Sequence, residues 1–98
     1  MAKKLSKFKI QNPHHLQRLV RGFANHRRIE IVNLLDRKPE LTVADIAEEL
    51  NINFKTASEH IQRLAIAGLL MKRYHGPSVH HKLTSRGKII LKFLRILE

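Results

Sequence analysis

The stretch "NFKTASEHIQR" sets Asn53, Lys55, Thr56, Ser58, Glu59, Gln62 and Arg63 among apolar residues that recur at helical spacing. Amide, hydroxyl and cationic side chains on one exposed helix face are the groups that hydrogen-bond phosphate oxygens and base edges. Lys55, Thr56, Ser58, Gln62 and Arg63 are the expected reading set, and Asn53 sits at the start of the same helix. Glu59 is the exception, because an acid on such a face repels phosphate unless it accepts from a cytosine amino group. It has a second option in Lys55 or Arg63, each four residues away, and pairing with one of them is the expectation.

Other chemistry finds few tools. The chain has no cysteine, so disulfides, thiolate metal sites and cysteine nucleophiles are excluded. It has no phosphate loop, no nucleophile elbow and no paired carboxylates in a glycine-rich setting, so no enzyme and no cofactor are expected. Seven histidines raise the question of a metal. His75 and His80 can face each other across a hairpin, but two imidazoles lack the third or fourth ligand of a stable zinc site, and no metal site is expected. His60 is read as a structural hydrogen-bonding residue. His14, His15 and the hairpin histidines can gain charge below about pH 6.5 and strengthen phosphate binding.

Nineteen Lys and Arg against eight Asp and Glu give a formal charge of +11. Such an excess favours a polyanion, through release of its counterions. The charge is also segregated. Residues 1–28 carry eight bases and no acid, residues 29–53 two bases and six acids, and residues 54–88 seven bases and one acid. A docking surface made from the first and third blocks explains this pattern, with the acidic middle block facing away. Lys72, Arg73, His75 and Lys82 flank Gly76-Pro77-Ser78, which is turn chemistry, and form a second candidate contact set on a basic hairpin.

The elements that must position these groups follow from caps and periodicity. A basic arm over residues 1–12 precedes a single domain over 13–98. "HHLQRLVRGFA" places Leu16, Leu19, Val20 and Phe23 on a first helix, and Asn25 caps a second with a broad apolar face of Ile29, Ile31, Val32, Leu34 and Leu35. Thr42 and Asp45 have capping-box spacing ahead of the stripe Val43, Ile46, Ala47 and Leu50. Asn51 suits a left-handed helix end, and Asn53 caps the next helix, which runs from Phe54 to Ala67 with Phe54, Ala57, Ile61 and Leu64 inward. Gly68 closes it and Leu69 packs behind. Two strands then surround Gly76-Pro77-Ser78, and Thr84 or Ser85 caps a last helix whose Ile89, Ile90, Phe93, Leu94, Ile96 and Leu97 cover more than one face. So apolar a terminal helix is expected to meet a second subunit. The fold class is mainly α with a small β-hairpin, and a steep helix-turn-helix followed by a hairpin describes a winged helix-turn-helix.

From Phe23 to Leu83 the order of parts resembles the arsenic-repressor (ArsR) family of winged-helix transcription regulators. Arg28 and Ile31 in "ANHRRIEIV" fit the family's Ala-Asp-x-x-Arg-x-x-Ile, and "SEHIQRLAIAGLL" is similar to its Ser-x-His-Leu-x-x-Leu-x-x-Ala-Gly-Leu. The MarR group shares much of the Ala-Gly-Leu and wing pattern. Asn25-His26 departs from the usual Asp-Pro, Asn51 stands where glycine is common, and His80-His81 stand where aromatic residues are usual. The family's thiolate sensor site is absent, and so is the carboxylate-histidine site of its last helix.

The resemblance implies a homodimer joined through terminal helices, with Leu16, Leu19, Ile90, Phe93, Leu94 and Leu97 as the interface candidates. It further implies a cytoplasmic, nucleoid-associated repressor that reads a twofold operator in double-stranded DNA. No apolar run approaches the ~20 residues of a membrane span, so no membrane partner is expected. A small-molecule effector of unknown identity stays open. The alternative is a winged-helix protein-interaction or architectural module that binds nucleic acid without sequence preference.

Overall fold

The computed structural model describes residues 9–98. Most of the basic arm, residues 1–8, lies outside them. Five helices and one hairpin follow in order: α1 (Pro13–Phe23), α2 (His26–Arg37), α3 (Val43–Leu50), α4 (Phe54–Ile66), β1 (Leu70–His75), β2 (Ser78–Leu83) and α5 (Ser85–Leu97).

Each helix starts where a short polar side chain can satisfy its orphan N–H groups. Asn12 accepts from the His15 N–H, with Pro13 supplying the first helical residue, and Asn25 accepts from the N–H groups of Arg27 and Arg28. Thr42 and Asp45 form the reciprocal capping box, both bonds at 3.1 Å. Thr84, not Ser85, caps α5 by accepting from the Gly87 N–H.

The sharp turn between α3 and α4 has two parts. Asn51 ends α3 in the left-handed region at φ 53°, ψ 50°, which Asn tolerates better than most residues. Two residues later the Asn53 side chain accepts from the N–H groups of Lys55 and Thr56 and starts α4. At the far end Gly68 takes φ +79°, and the Leu69 N–H reaches back to the Leu64 carbonyl at 2.9 Å. That is the helix termination for which glycine is favoured.

The core forms around α2, whose Ile31, Val32, Leu34 and Leu35 are all buried. Ile46 of α3, Ile61 and Leu64 of α4, Leu69, and Leu91 of α5 close over it. Two expectations fail here. Phe54 is 58% exposed rather than inward, because at 100° per residue it stands off the line of Ala57, Ile61 and Leu64 that faces the core. Leu91, which the spacing did not single out, is the residue of α5 that enters the core, and it leaves Ile89, Phe93, Ile96 and Leu97 exposed.

The hairpin pairs antiparallel from Leu70 with Leu83 to His75 with Ser78, around a two-residue Gly76-Pro77 turn. It is anchored by a contact the sequence did not announce. Leu41 forms a single bridge with His81, with the Glu40 N–H donating to the His81 carbonyl and the His81 N–H to the Leu41 carbonyl, each at 2.9 Å. The His81 ring is buried, and its Nδ1 lies 2.9 Å from the Leu41 carbonyl oxygen. A carbonyl can only accept, so Nδ1 carries the hydrogen. Glu40 adopts φ +67° to make this junction.

Candidate nucleic-acid interface

The outward side of α4 follows from its buried side. Ala57, Ile61 and Leu64 face the core, and at 100° per residue this points Lys55, Glu59, Gln62 and Ile66 straight away from it. Thr56 and Arg63 lean toward α1, and Ser58 leans toward the hairpin. Arg63 accordingly lines a hollow with residues of α1, whereas Ser58 and Gln62 line another with Lys72, Val79 and His81 of the hairpin. The six polar candidates within this helix are therefore spread over three directions. Asn53 already spends its side-chain oxygen on the cap, with bonds of 2.7 and 3.3 Å to the N–H groups of Lys55 and Thr56.

Glu59 does not pair as expected. Among the described residues it has no ion-pair partner, and neither Lys55 nor Arg63 comes within bridging distance. Both cations instead extend into solvent, where an exposed i, i+4 pair is stabilised by only about 0.3–0.5 kcal/mol.

The pleat divides the hairpin's candidates. Successive residues of a strand point to opposite faces, so Lys72 and Tyr74 share the face that carries Val79 and His81 and adjoins α4. Arg73, His75 and Lys82 lie on the other face. There Arg73 meets the Glu40 carboxylate at 3.4 Å and His75 approaches it at 3.9 Å. His80 Nδ1 donates to the Glu40 carbonyl at 2.6 Å, and its ring meets that of His75 edge to face with centroids 4.9 Å apart. The expected meeting of His75 and His80 thus occurs, around Glu40. Lys82 borders a separate hollow with Asp36, Glu40 and Lys88. Of the four hairpin candidates only Lys72 stands on the same side as α4.

Two exposed residues outside the expected contact sets, Phe54 among them despite its expected inward place, belong to the α4 side. Tyr74 is 72% exposed at the hairpin end, and Phe54 occupies the tip of α4. The signal for Tyr74 was its position two residues from Lys72 in a strand.

Behind the interface, Arg28 fixes the angle at which α4 meets α1. Its Nε donates to His60 Nδ1 at 3.2 Å, and its Nη1 donates to the carbonyls of Arg21 at 2.9 Å and Gly22 at 3.3 Å. This is the structural role expected of His60. Burial, and next the charge of Arg28, lower the pKa of His60 from its ordinary value, so the ring stays neutral and able to accept. Burial is also the largest cause holding His81 below the ordinary histidine value.

The ion pairs show the same segregation as the sequence. Glu30, Asp36, Glu40 and Glu49 of the acidic block each meet a cation. Among the described residues, Lys55, Arg63 and Lys72 meet none, which leaves the α4 face with uncompensated positive charge. Among these residues, too, no helix is long and apolar enough to cross a membrane, and no group of three His, Asp or Glu side chains is placed to hold a metal ion.

The interface candidates on the terminal helices fall into two groups. Leu16, Phe93 and Leu97 are exposed, whereas Leu19, Ile90 and Leu94 pack partly against their own core. Ile89 and Ile96 are 67% and 73% exposed and extend the stripe that Phe93 begins.

Comparison with known proteins gives a consistent picture. The family model for bacterial regulatory proteins of the ArsR family matches residues 25–72. A cadmium resistance transcriptional regulatory protein homologue, CadC, from Staphylococcus aureus is 29% identical over 73 residues, covering 74% of this chain. The match spans 60% of that relative's length. A homodimeric winged helix-turn-helix DNA-binding domain from Mycobacterium bovis superposes with a TM-score of 0.77 at 26% identity, over 85% of this chain and 77% of that one. Reduced HlyU from Vibrio cholerae gives 0.75 at 27% identity, over 89% and 92%.

Proposed function

We propose that this chain is an ArsR-like winged helix-turn-helix regulator that binds double-stranded DNA as a homodimer and represses transcription, a reading supported by the family model over residues 25–72 and the staphylococcal relative. In this reading α4 enters the major groove, whose ~12 Å width admits a helix. Lys55, Gln62 and Thr56 face base edges, Ser58 and Lys72 hold phosphate beside the hairpin, and Tyr74 extends that contact. The observation that carries the reading is that Lys55, Arg63 and Lys72 meet no carboxylate among the described residues and outnumber the single acid of that face, Glu59, whereas Glu30, Asp36, Glu40 and Glu49 elsewhere are ion-paired.

The M. bovis domain is described as homodimeric and DNA-binding, which supports a twofold assembly here. Leu16, Ile89, Phe93, Ile96 and Leu97 supply apolar surface for it. Two copies would then read half-sites about one helical turn, or ~34 Å, apart. Such a protein works beside the nucleoid in the cytoplasm and needs no catalytic group.

Cadmium resistance, in the name of the staphylococcal relative, does not transfer. Soft metal ions prefer thiolates, this chain has no cysteine, and the described histidines and carboxylates do not converge in threes. The donor set does not fit that metal.

The test is light scattering together with titration of a duplex bearing two half-sites. The wild-type protein should be a dimer, and Phe93→Glu should yield folded monomers with much weaker binding to that duplex. Wild-type monomers that bind with full affinity would defeat the dimeric reading.

A further inference from the structure

We propose that the hollow between α1, the C-terminal end of α4 and the start of α5 binds a small molecule carrying at least two negative charges of phosphate type. This inference does not depend on the DNA-binding reading.

The hollow has a volume of about 340 Å³, at the lower end of the ~300–1,000 Å³ usual for small-ligand sites. Arg18, Arg21, Arg28, Arg63, Arg86 and His15 line it, and no acid does. The chain has nine arginines and ten lysines, yet five arginines and no lysine converge here. A guanidinium offers a planar fork that matches two phosphate oxygens, which the point charge of a lysine does not.

These groups are not equally free. Arg28 is spent on His60 and the α1 carbonyls, and Arg86 makes a long 3.4 Å contact to the Ala67 carbonyl. The side chains of Arg18, Arg21 and Arg63 make neither a hydrogen bond nor an ion pair to any described residue. Residues 1–8 contain no acid, so that segment brings no carboxylate to them. Like charges gathered without a counter-ion repel one another. A multiply charged anion removes that repulsion and satisfies the free N–H donors, whereas a singly charged ion matches only part of the set. Leu19, Ile66 and Ala67 form an apolar wall beside the cations, which suits the carbon part of an organic phosphate.

The experiment titrates the full chain with inorganic pyrophosphate by calorimetry, at an ionic strength held constant with sodium chloride. Thermal unfolding is followed in parallel. Saturable binding at one site per chain and a rise in Tm are expected. Arg18→Gln and Arg21→Gln should each weaken binding about tenfold or more, the loss typical of a charge-assisted hydrogen bond. Lys92→Gln removes the same charge from α5, away from the hollow, and should leave binding unchanged.

Equal losses in Lys92→Gln and Arg18→Gln would mean diffuse attraction, and no saturation below the millimolar range would mean no site. Either result overturns the proposal. So does a third outcome, in which pyrophosphate does not bind and the two arginine variants instead lower the salt dependence of duplex binding. The hollow would then belong to the DNA interface. Because Arg18 and Arg21 have exposed, unbonded side chains, circular dichroism of these variants should match wild type.

Discussion

Replacing Arg28 with alanine removes three donated bonds at once. One goes to His60 on α4, and two go to carbonyls at the end of α1, where a cation also complements the helix dipole. A hydrogen bond from a charged donor contributes roughly 1.5–3 kcal/mol, and the three are neither fully buried nor additive. The expected loss is therefore about 2–3 kcal/mol, which for a domain of this size lowers Tm by on the order of 10–20 °C. Arg28→Lys keeps the charge but cannot reach three acceptors, so it should recover less than half of the loss.

The assay is denaturant unfolding followed by circular dichroism at one fixed protein concentration, since the proposed dimer would tie stability to concentration. Proton NMR of His60 provides a second readout. Its pKa should move up toward the ordinary value once the Arg28 charge is gone, though not fully, because burial is the larger cause. A loss below about 0.5 kcal/mol, within the range of an ordinary surface substitution, would refute the view that Arg28 sets the α1–α4 angle. Full rescue by lysine would refute it equally.

A methyl group on Gly22 would meet the Ala67 side chain at 2.3 Å, so Gly22→Ala should cost about 1–3 kcal/mol by overpacking despite better helix propensity. Ala67→Gly in the same chain should restore part of that loss, as read from the unfolding midpoint of the double variant. For pH, His60 and His81 both have folded pKa values below the unfolded value, so the unfolded chain takes up protons first as the solution is acidified. Stability should be flat above about pH 6.5 and decline below it, and an unfolding free energy that stays level down to pH 5 would contradict this. Asp45 is lowered chiefly by the Thr42 backbone N–H, and its contribution disappears only in more acid solution. On DNA, Lys72→Ala should lower the salt slope by about 0.9, one phosphate contact. Arg73→Ala, already paired with Glu40, should lower it less, and the reverse order in a salt titration would exchange the two faces of the hairpin.

The helix framework was legible because its signals are local. Asn25, Thr42 with Asp45, Asn51, Asn53 and Gly68 each act on backbone within a few residues, so type and spacing sufficed to place five helix ends. The ArsR-like pattern of Arg28, His60 and Ala67-Gly68-Leu69 was readable for the same reason. What escaped depends on contacts between distant segments. Nothing near Phe54 says that it stays uncovered, and nothing near Glu59 says that Lys55 and Arg63 form no bridge to it. The left-handed Glu40 and the buried His81 are separated by forty-one residues in sequence and define each other only in the fold. The division of the hairpin's two faces is legible in the sequence, since strict alternation already separates Lys72 from Arg73.

Selection from a random duplex library measures whether the α4 face reads duplex sequence. Affinities of recovered and scrambled duplexes are then compared at two salt concentrations, for wild type and Lys55→Ala. A twofold-symmetric motif is expected, bound on the order of 10³-fold or more above scrambled duplex, with Lys55→Ala reducing that discrimination. Steeply salt-dependent binding with no motif, unchanged by Lys55→Ala, would contradict it and leave an architectural or protein-interaction role in its place.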